Sequence, residues 1–208
     1  KTIAALEAEG GTLLNPVEKQ KLQNTLWMQG RLNPDLIAKS AQVIAGAIEL
    51  QRPEMNQVKI LMVEETGTGY EYPFSGEKLC PVLTVYRASN FEAACQQVRK
   101  VYDYQGKGHS VGLHSQDESR PLKMGLSLPA CRVIVNQAHC FATGGNFDNG
   151  MPFSLSMGCG TWGDNSVSDN LNYRHYLNIV RIVRPITPVE PSDEEIFGEF
   201  WAKHGRYK

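Results

Sequence analysis

The sequence predicts an α/β fold, a mainly parallel open sheet with helices on both faces. Three observations lead there. Short apolar runs rich in β-branched residues read as strands: VKILMVEE from Val58, PVLTVYRA from Pro81 and CRVIVNQ from Cys131. Between them the apolar spacing turns helical, most clearly from Phe91 to about Asp103, where Phe91, Ala94, Cys95, Val98 and Tyr102 fall on one stripe. Strand, helix, strand at these lengths needs right-handed crossovers, and crossovers make neighbouring strands parallel.

The elements follow in order. Ile3 and Leu6 mark a first short helix stopped by Gly10-Gly11. Asn15-Pro16-Val17-Glu18 predicts a second helix start: a capping Asn, Pro in the first turn and Glu three places after the cap. Gly30 reads as its stop, and Asn33-Pro34-Asp35 repeats the start signal before LIAKSAQVIAGAIEL, residues 36–50. Ser89-Asn90-Phe91-Glu92 spells a capping box, with Ser89 accepting from the first turn and Glu92 reaching back. After Gly106-Lys107-Gly108, HSVGLHS predicts a strand, PLKMGLSL a helical stretch and CRVIVNQ the next strand. Residues 139–170, rich in glycine, asparagine and aromatics, predict a functional loop, with a plain surface excursion as the alternative. YLNIVRIVRP predicts a strand, and Ser192-Asp193-Glu194-Glu195 a capped terminal helix reaching about Lys203. The organisation expected is therefore one domain with an α/β core over 1–170, a strand within 171–190 and a helix within 191–208.

Composition narrows the function. A chain of 208 residues buries a sizeable core. The net charge of -1 leaves no basic excess for phosphates, which argues against a nucleic-acid partner. No apolar run approaches the ~20 residues of a membrane span, so no membrane partner is expected. The start, KTIAALEAEGG, lacks a secretory h-region. Five cysteines, an odd number with no CxxC pair, indicate neither a zinc site nor a disulfide framework. A reducing cytoplasm is the simplest home for them.

Three patterns are decoys. Gly158-Cys159-Gly160-Thr161-Trp162-Gly163 matches GxGxxG, but DNSVSDNLNY follows it, and those side chains compete for helix backbone bonds. His139-Cys140 suggests a thiol hydrolase, yet sequence neighbours seldom face each other and no orienting third residue is marked, so a loop histidine is the simpler reading. Glu194–Gly198 spells EEIFG, a second glutamate-led apolar word, but Glu199 follows it and it sits inside the capped terminal helix.

The informative words are EKLCPVLTVYR, from Glu77 to Arg87, and LSMGCGTWGDNSVSDNLNYRHYLN, from Leu155 to Asn178. The first resembles the E-x-x-x-P-V segment of aldehyde dehydrogenases. The second resembles the G-C-G-[ST]-W-G-x-N-S segment of their CoA-acylating branch. Order and spacing match as well, over roughly residues 1–185, and RVIVNQAHCF with SLSMGCGTWG is most similar to members acting on sulfoacetaldehyde. The resemblance implies the family's catalytic-domain fold, without its Rossmann cofactor domain.

Carried over by position, the resemblance implies that Glu77 accepts the nicotinamide ribose hydroxyls, a task suited to a carboxylate facing a vicinal diol. A solvated Glu beside Lys78 is the plain alternative. Leu79 stands where many relatives carry an aromatic against the nicotinamide, and acylating members often have Leu there. His109, in Gly108-His109-Ser110, matches a histidine near the thioester chemistry, able to move a proton to or from CoA's thiol; a strand-end histidine bonded to backbone is the alternative. Asn136 matches a cleft residue that shapes backbone.

The family's nucleophilic cysteine lies upstream of the glutamate, and none of Cys80, Cys95, Cys131, Cys140 or Cys159 fits its context. The implied intact enzyme oxidises a short aldehyde with NAD or NADP through a cysteine thioester, then hands the acyl group to coenzyme A. Its YLNIVRIVRP strand implies a homo-oligomer, a dimer. Two readings stay open beside it: a hydrolytic aldehyde dehydrogenase, and a non-catalytic binding or assembly module on the same fold.

Overall fold

The computed structural model describes residues 1–52 and 55–206, so positions 207 and 208 of the expected terminal segment lie outside the described residues. The chain separates into two units, residues 1–175 and 176–208.

In the larger unit, α1 (Thr2–Ala8) leads into β1 (Gly11–Leu13), and α2 (Pro16–Leu26) follows. The α2 start is the expected capping box: Asn15 Oδ1 accepts from the Val17 and Glu18 amides, and the Asn15 amide donates to the Glu18 carboxylate. Leu22 and Leu26 of α2 are fully buried. Their burial contributes about 1.5–3 kcal/mol each, against about 1 for the cap, so packing outweighs local propensity here.

Gly30 is not the helix stop. The helix ends at Leu26, and Gln29 and Gly30, both at positive φ (51° and 76°), turn the hairpin of β2 (Trp27–Met28) and β3 (Arg31–Leu32). The helix expected from residue 36 is also shorter: α3 runs Ala41–Ala47, capped by Ser40, whose hydroxyl accepts from Val43 N. The Asn33 side chain instead ties a turn, accepting from Asp35 N and donating to Thr25 O.

Strand β4 (Ile60–Glu64) lies between β1 and β5 (Val82–Val85), parallel to both. Leu61, Met62 and Val63 are buried in a row, as a strand covered on both faces requires. Helix α4 (Phe91–Tyr104) then opens with a correction: Asn90, not Ser89, is the cap, its Oδ1 accepting from Ala93 N at 2.8 Å. Both residue types cap well, and the extended backbone of Asn90 puts its oxygen over the first turn. The α4 stripe of Phe91, Cys95, Val98 and Tyr102 packs as expected, against Val111, Met124 and Leu128. Strands β6 (Val111–Leu113) and β7 (Val133–Val135) pair in parallel across α5 (Ser119–Ser127). The short α6 (His139–Ala142) follows β7. The architecture is α/β with parallel pairing in both main sheets, as the patterns predict.

In the smaller unit, α7 (Asp193–His204) carries the expected Ser192–Glu195 capping box. The predicted YLNIVRIVRP strand makes no strand hydrogen bonds among the described residues, and Ile179, Val180, Ile182 and Val183 are exposed. Extended backbone becomes a strand only by pairing. Among the described residues, no helix is long and apolar enough to cross a membrane, and no cluster of potential metal ligands forms.

Candidate functional site

Glu77 lies in the short connection between a 3-10 turn (Pro73–Ser75) and β5. Its backbone N–H donates to Gln105 Oε1 at 2.9 Å, which joins this connection to the turn at the end of α4. The join is close: a Cβ on Gly76 would stand 2.6 Å from the same oxygen. The Glu77 carboxylate is exposed and forms no salt bridge among the described residues. Lys78 turns inward instead, its Nζ donating to the Phe74 and Gly76 carbonyls at 2.8 Å each. Burial pulls the Lys78 ammonium down to about 8, while the charges at Cys80 and Glu77 hold it up.

Leu79 is a half-exposed side chain on a backbone at φ 52°, and its carbonyl accepts from Ala38 N at 2.8 Å. A non-glycine residue at positive φ is strained, and the hydrogen bond to Ala38 holds it there.

His109 enters β6 from Gly108, whose φ is 89° and whose missing Cβ would sit 2.1 Å from Cys159 O. Only glycine lets the 158–163 loop approach so near. His109 Nδ1 lies 2.6 Å from Ser110 Oγ, and Ser110 Oγ lies 2.7 Å from His139 Nε2. Tyr102 Oη donates to Ser110 O at 2.6 Å and fixes the strand entry. Burial lowers His109 below the ordinary histidine value, with Arg132 pushing the same way and Glu77 opposing. His139 is lowered too, by burial and then by His109. Both rings favour the neutral form.

The buried Arg132 ties the rest together. Its Nε donates to Asn170 Oδ1 at 2.9 Å, and its Nη1 to Gly158 O at 2.9 Å and His109 O at 3.2 Å. The GxGxxG look-alike opens no helix: Gly160 N donates to Val167 O, Cys159 N donates to Asn165 Oδ1, and a single 3-10 turn (Thr161–Gly163) follows. Asn136, at φ 53°, clamps Ser115 from both sides, accepting from its N–H and donating to its carbonyl.

Ser110, His139, Lys78, Tyr86 and Tyr102 line one groove of about 500 Å³ between β5, α4 and β6. Glu77, Leu79 and His109, the residues expected from the sequence, do not line this groove; Glu77 is joined to Gln105 and His109 to Ser110 and Arg132. The structure also adds His139, which the sequence leaves as a loop residue. Its link to Ser110 spans 29 positions and exists only because β6 and β7 pair. Burial raises the thiols of Cys80, Cys95 and Cys131, the wrong direction for a nucleophile.

Along nearly its whole length the chain is similar to acylating aldehyde dehydrogenases, and it spans about two fifths of the length of the curated relatives it matches. It is 54% identical over 202 residues to a sulfoacetaldehyde dehydrogenase (acylating) of Cupriavidus necator, covering 97% of this chain and 41% of that one. It is 36% identical over 200 residues to a succinate-semialdehyde dehydrogenase (acetylating) of Clostridium kluyveri, covering 95% and 44%. The crystal structure of an acetylating aldehyde dehydrogenase from Geobacillus thermoglucosidasius superposes with a TM-score of 0.82 at 36% identity, covering 91% of this chain and 41% of that one. No protein-family model matches the chain.

Proposed function

We propose that this chain supplies the cofactor-ribose clamp and the acyl-transfer histidine of a CoA-acylating aldehyde dehydrogenase whose substrate is a short aldehyde, sulfoacetaldehyde first. The observation that carries the reading is Glu77: an exposed carboxylate in no salt bridge among the described residues, on a backbone whose N–H donates to Gln105 at the turn that leads to His109. The 54% identity to an acylating sulfoacetaldehyde dehydrogenase supports the choice of substrate.

The residues present fit NAD or NADP. A free carboxylate accepts two hydrogen bonds from a ribose diol, and the half-exposed Leu79 two positions on offers apolar surface to a planar ring. The bound dinucleotide supplies the hydride acceptor. His109, held toward its neutral form, takes the proton from the CoA thiol so that the thiolate attacks the acyl group. That acyl group rides on a cysteine contributed by the rest of the enzyme, since none of this chain's five has the nucleophile's setting. The chain works in the cytoplasm as a homo-oligomer, with the segment carrying the exposed Ile179, Val180, Ile182 and Val183 as the pairing strand.

The test uses the full-length enzyme and a panel of short aldehydes with and without CoA. Sulfoacetaldehyde with CoA gives sustained reduction of the dinucleotide; without CoA, turnover stops after the enzyme is acylated. Glu77→Gln raises the KM for the dinucleotide about tenfold or more, the weight of a charged hydrogen bond. Free acid formed at the same rate with CoA absent would overturn the reading.

A further inference from the structure

We propose that Ser110 and His139 form a proton relay that sets the tautomer of His109, with His139 as a positioning residue one hydroxyl removed from the reacting group. The inference rests on the reading of His109 as the acceptor of the CoA thiol proton.

The argument begins with one hydroxyl between two rings. Ser110 Oγ is 2.6 Å from His109 Nδ1 and 2.7 Å from His139 Nε2, both within strong hydrogen-bond range. A hydroxyl carries one proton, so Oγ donates to one ring nitrogen and accepts from the other. With both rings neutral, one of the two facing nitrogens carries a proton and the other does not. The rings are thereby locked into complementary tautomers. When His139 Nε2 accepts from Ser110, His109 must carry its proton on Nδ1, and its Nε2 is left bare as a base. Without His139, the hydroxyl is free to donate to His109 Nδ1, and the ring then holds its proton on Nε2, where it cannot take another.

The proton count closes. The CoA S–H bond breaks and its proton goes to His109 Nε2, leaving the thiolate pair for the acyl carbon. The Nδ1 proton passes to Ser110 Oγ as the hydroxyl's own proton passes to His139 Nε2. Ser110 is unchanged, His109 is neutral with its proton on Nε2, and the half-buried His139 holds the charge; loss of the His109 Nε2 proton to solvent, with the reverse shift through Ser110, restores the starting tautomers. Two features keep the geometry. Tyr102 Oη anchors the Ser110 carbonyl at 2.6 Å. Gly112 leaves room for the His139 ring, since a Cβ there would stand 2.8 Å from its Nδ1. Burial disfavours the charged form of both rings, which keeps the relay loaded in its neutral arrangement.

The full-length enzyme tests this with His139→Phe, Ser110→Ala, His139→Gln and His109→Gln. Two rates are read apart: the burst of reduced dinucleotide, which reports hydride transfer, and the CoA-dependent step after it. His139→Phe and Ser110→Ala slow the CoA step about tenfold or more relative to the burst, the lower range of a lost proton-transfer group. His139→Gln, whose amide oxygen can accept from the hydroxyl but cannot take its proton, recovers only part of it. In mixtures of H2O and D2O, the wild-type CoA step shows a curved, multi-proton dependence that becomes linear in Ser110→Ala, a change that a packing role does not produce. An unchanged ratio of the two rates, or a wild-type dependence already linear, overturns the relay. So does equal loss of burst and CoA step in both relay variants, which makes His139 a support of the fold alone. If His109→Gln leaves the CoA step untouched, the reading of His109 itself fails; if it slows the step while His139→Phe and Ser110→Ala do not, only the relay fails.

Discussion

Glu77 hangs from Gln105: its backbone amide donates to the Gln105 side-chain oxygen at 2.9 Å, a side-chain bond that joins the β5 connection to the turn ending α4. The backbone position of Glu77 is thus tied to a residue 28 positions away. Gln105→Ala in the full-length enzyme therefore raises the KM for the dinucleotide about fivefold, the worth of one ordinary hydrogen bond, with kcat within about twofold. Saturation curves for the dinucleotide decide it, and an unmoved KM would mean that Glu77 holds its place without Gln105.

Leu79 separates backbone from side chain. Its φ of 52° is costly for any residue with a Cβ and worst for a β-branched one. Leu79→Gly removes about 1–2 kcal/mol of strain and adds about 1 of unfolded-chain entropy, so thermal stability stays nearly level. Leu79→Val lowers the melting temperature by several degrees. Differential scanning calorimetry of the pair checks the order, and a Val variant as stable as the Gly variant contradicts it.

Two glycines behave oppositely. At Gly108 a methyl group meets the Cys159 carbonyl at 2.1 Å on a backbone at φ 89°, so Gly108→Ala costs about 3 kcal/mol or more. At Gly46, exposed in α3 with nothing within 4 Å of the added carbon, Ala gains about 0.5–1 kcal/mol of helix propensity. Urea unfolding of the two variants gives shifts of opposite sign.

Lys78 links stability to pH. Its folded value, about 8, is below its ordinary 10.5, so the unfolded chain binds more protons between those values and stability from this group rises with pH across that window. Below about 8 the buried ammonium costs stability, and above 10.5 the contribution is constant. Lys78→Met loses the rise. The stability gap between wild type and variant is therefore wider in favour of wild type at pH 10 than at pH 7, and parallel unfolding curves at the two pH values would refute the assignment.

Legibility from sequence follows the range of the interaction. The Asn15–Glu18 and Ser192–Glu195 caps, each closed within three residues, are as the letters spell them. At α4 the same alphabet offers two adjacent caps, Ser89 and Asn90, and backbone direction chooses between them. Gly30 reads as a stop because nothing local distinguishes a helix end from a hairpin turn. Glu77, Leu79 and His109 are singled out by family resemblance, not by spacing. His139 is illegible both ways, because its partner Ser110 is brought near by strand pairing alone.

The bare stretch from Asn178 to Val183 has a practical consequence. Six residues reading NIVRIV, with four β-branched side chains in the open, form a template on which copies of the same segment can stack edge to edge. Arg181 within it, and Arg184 with Pro185 just after, act as gatekeepers that shorten the sticky run and repel an in-register stack. The expected outcome is slow self-association through this segment on storage, and a charge introduced at Val180 or Ile182 should reduce it, as light scattering over time would read.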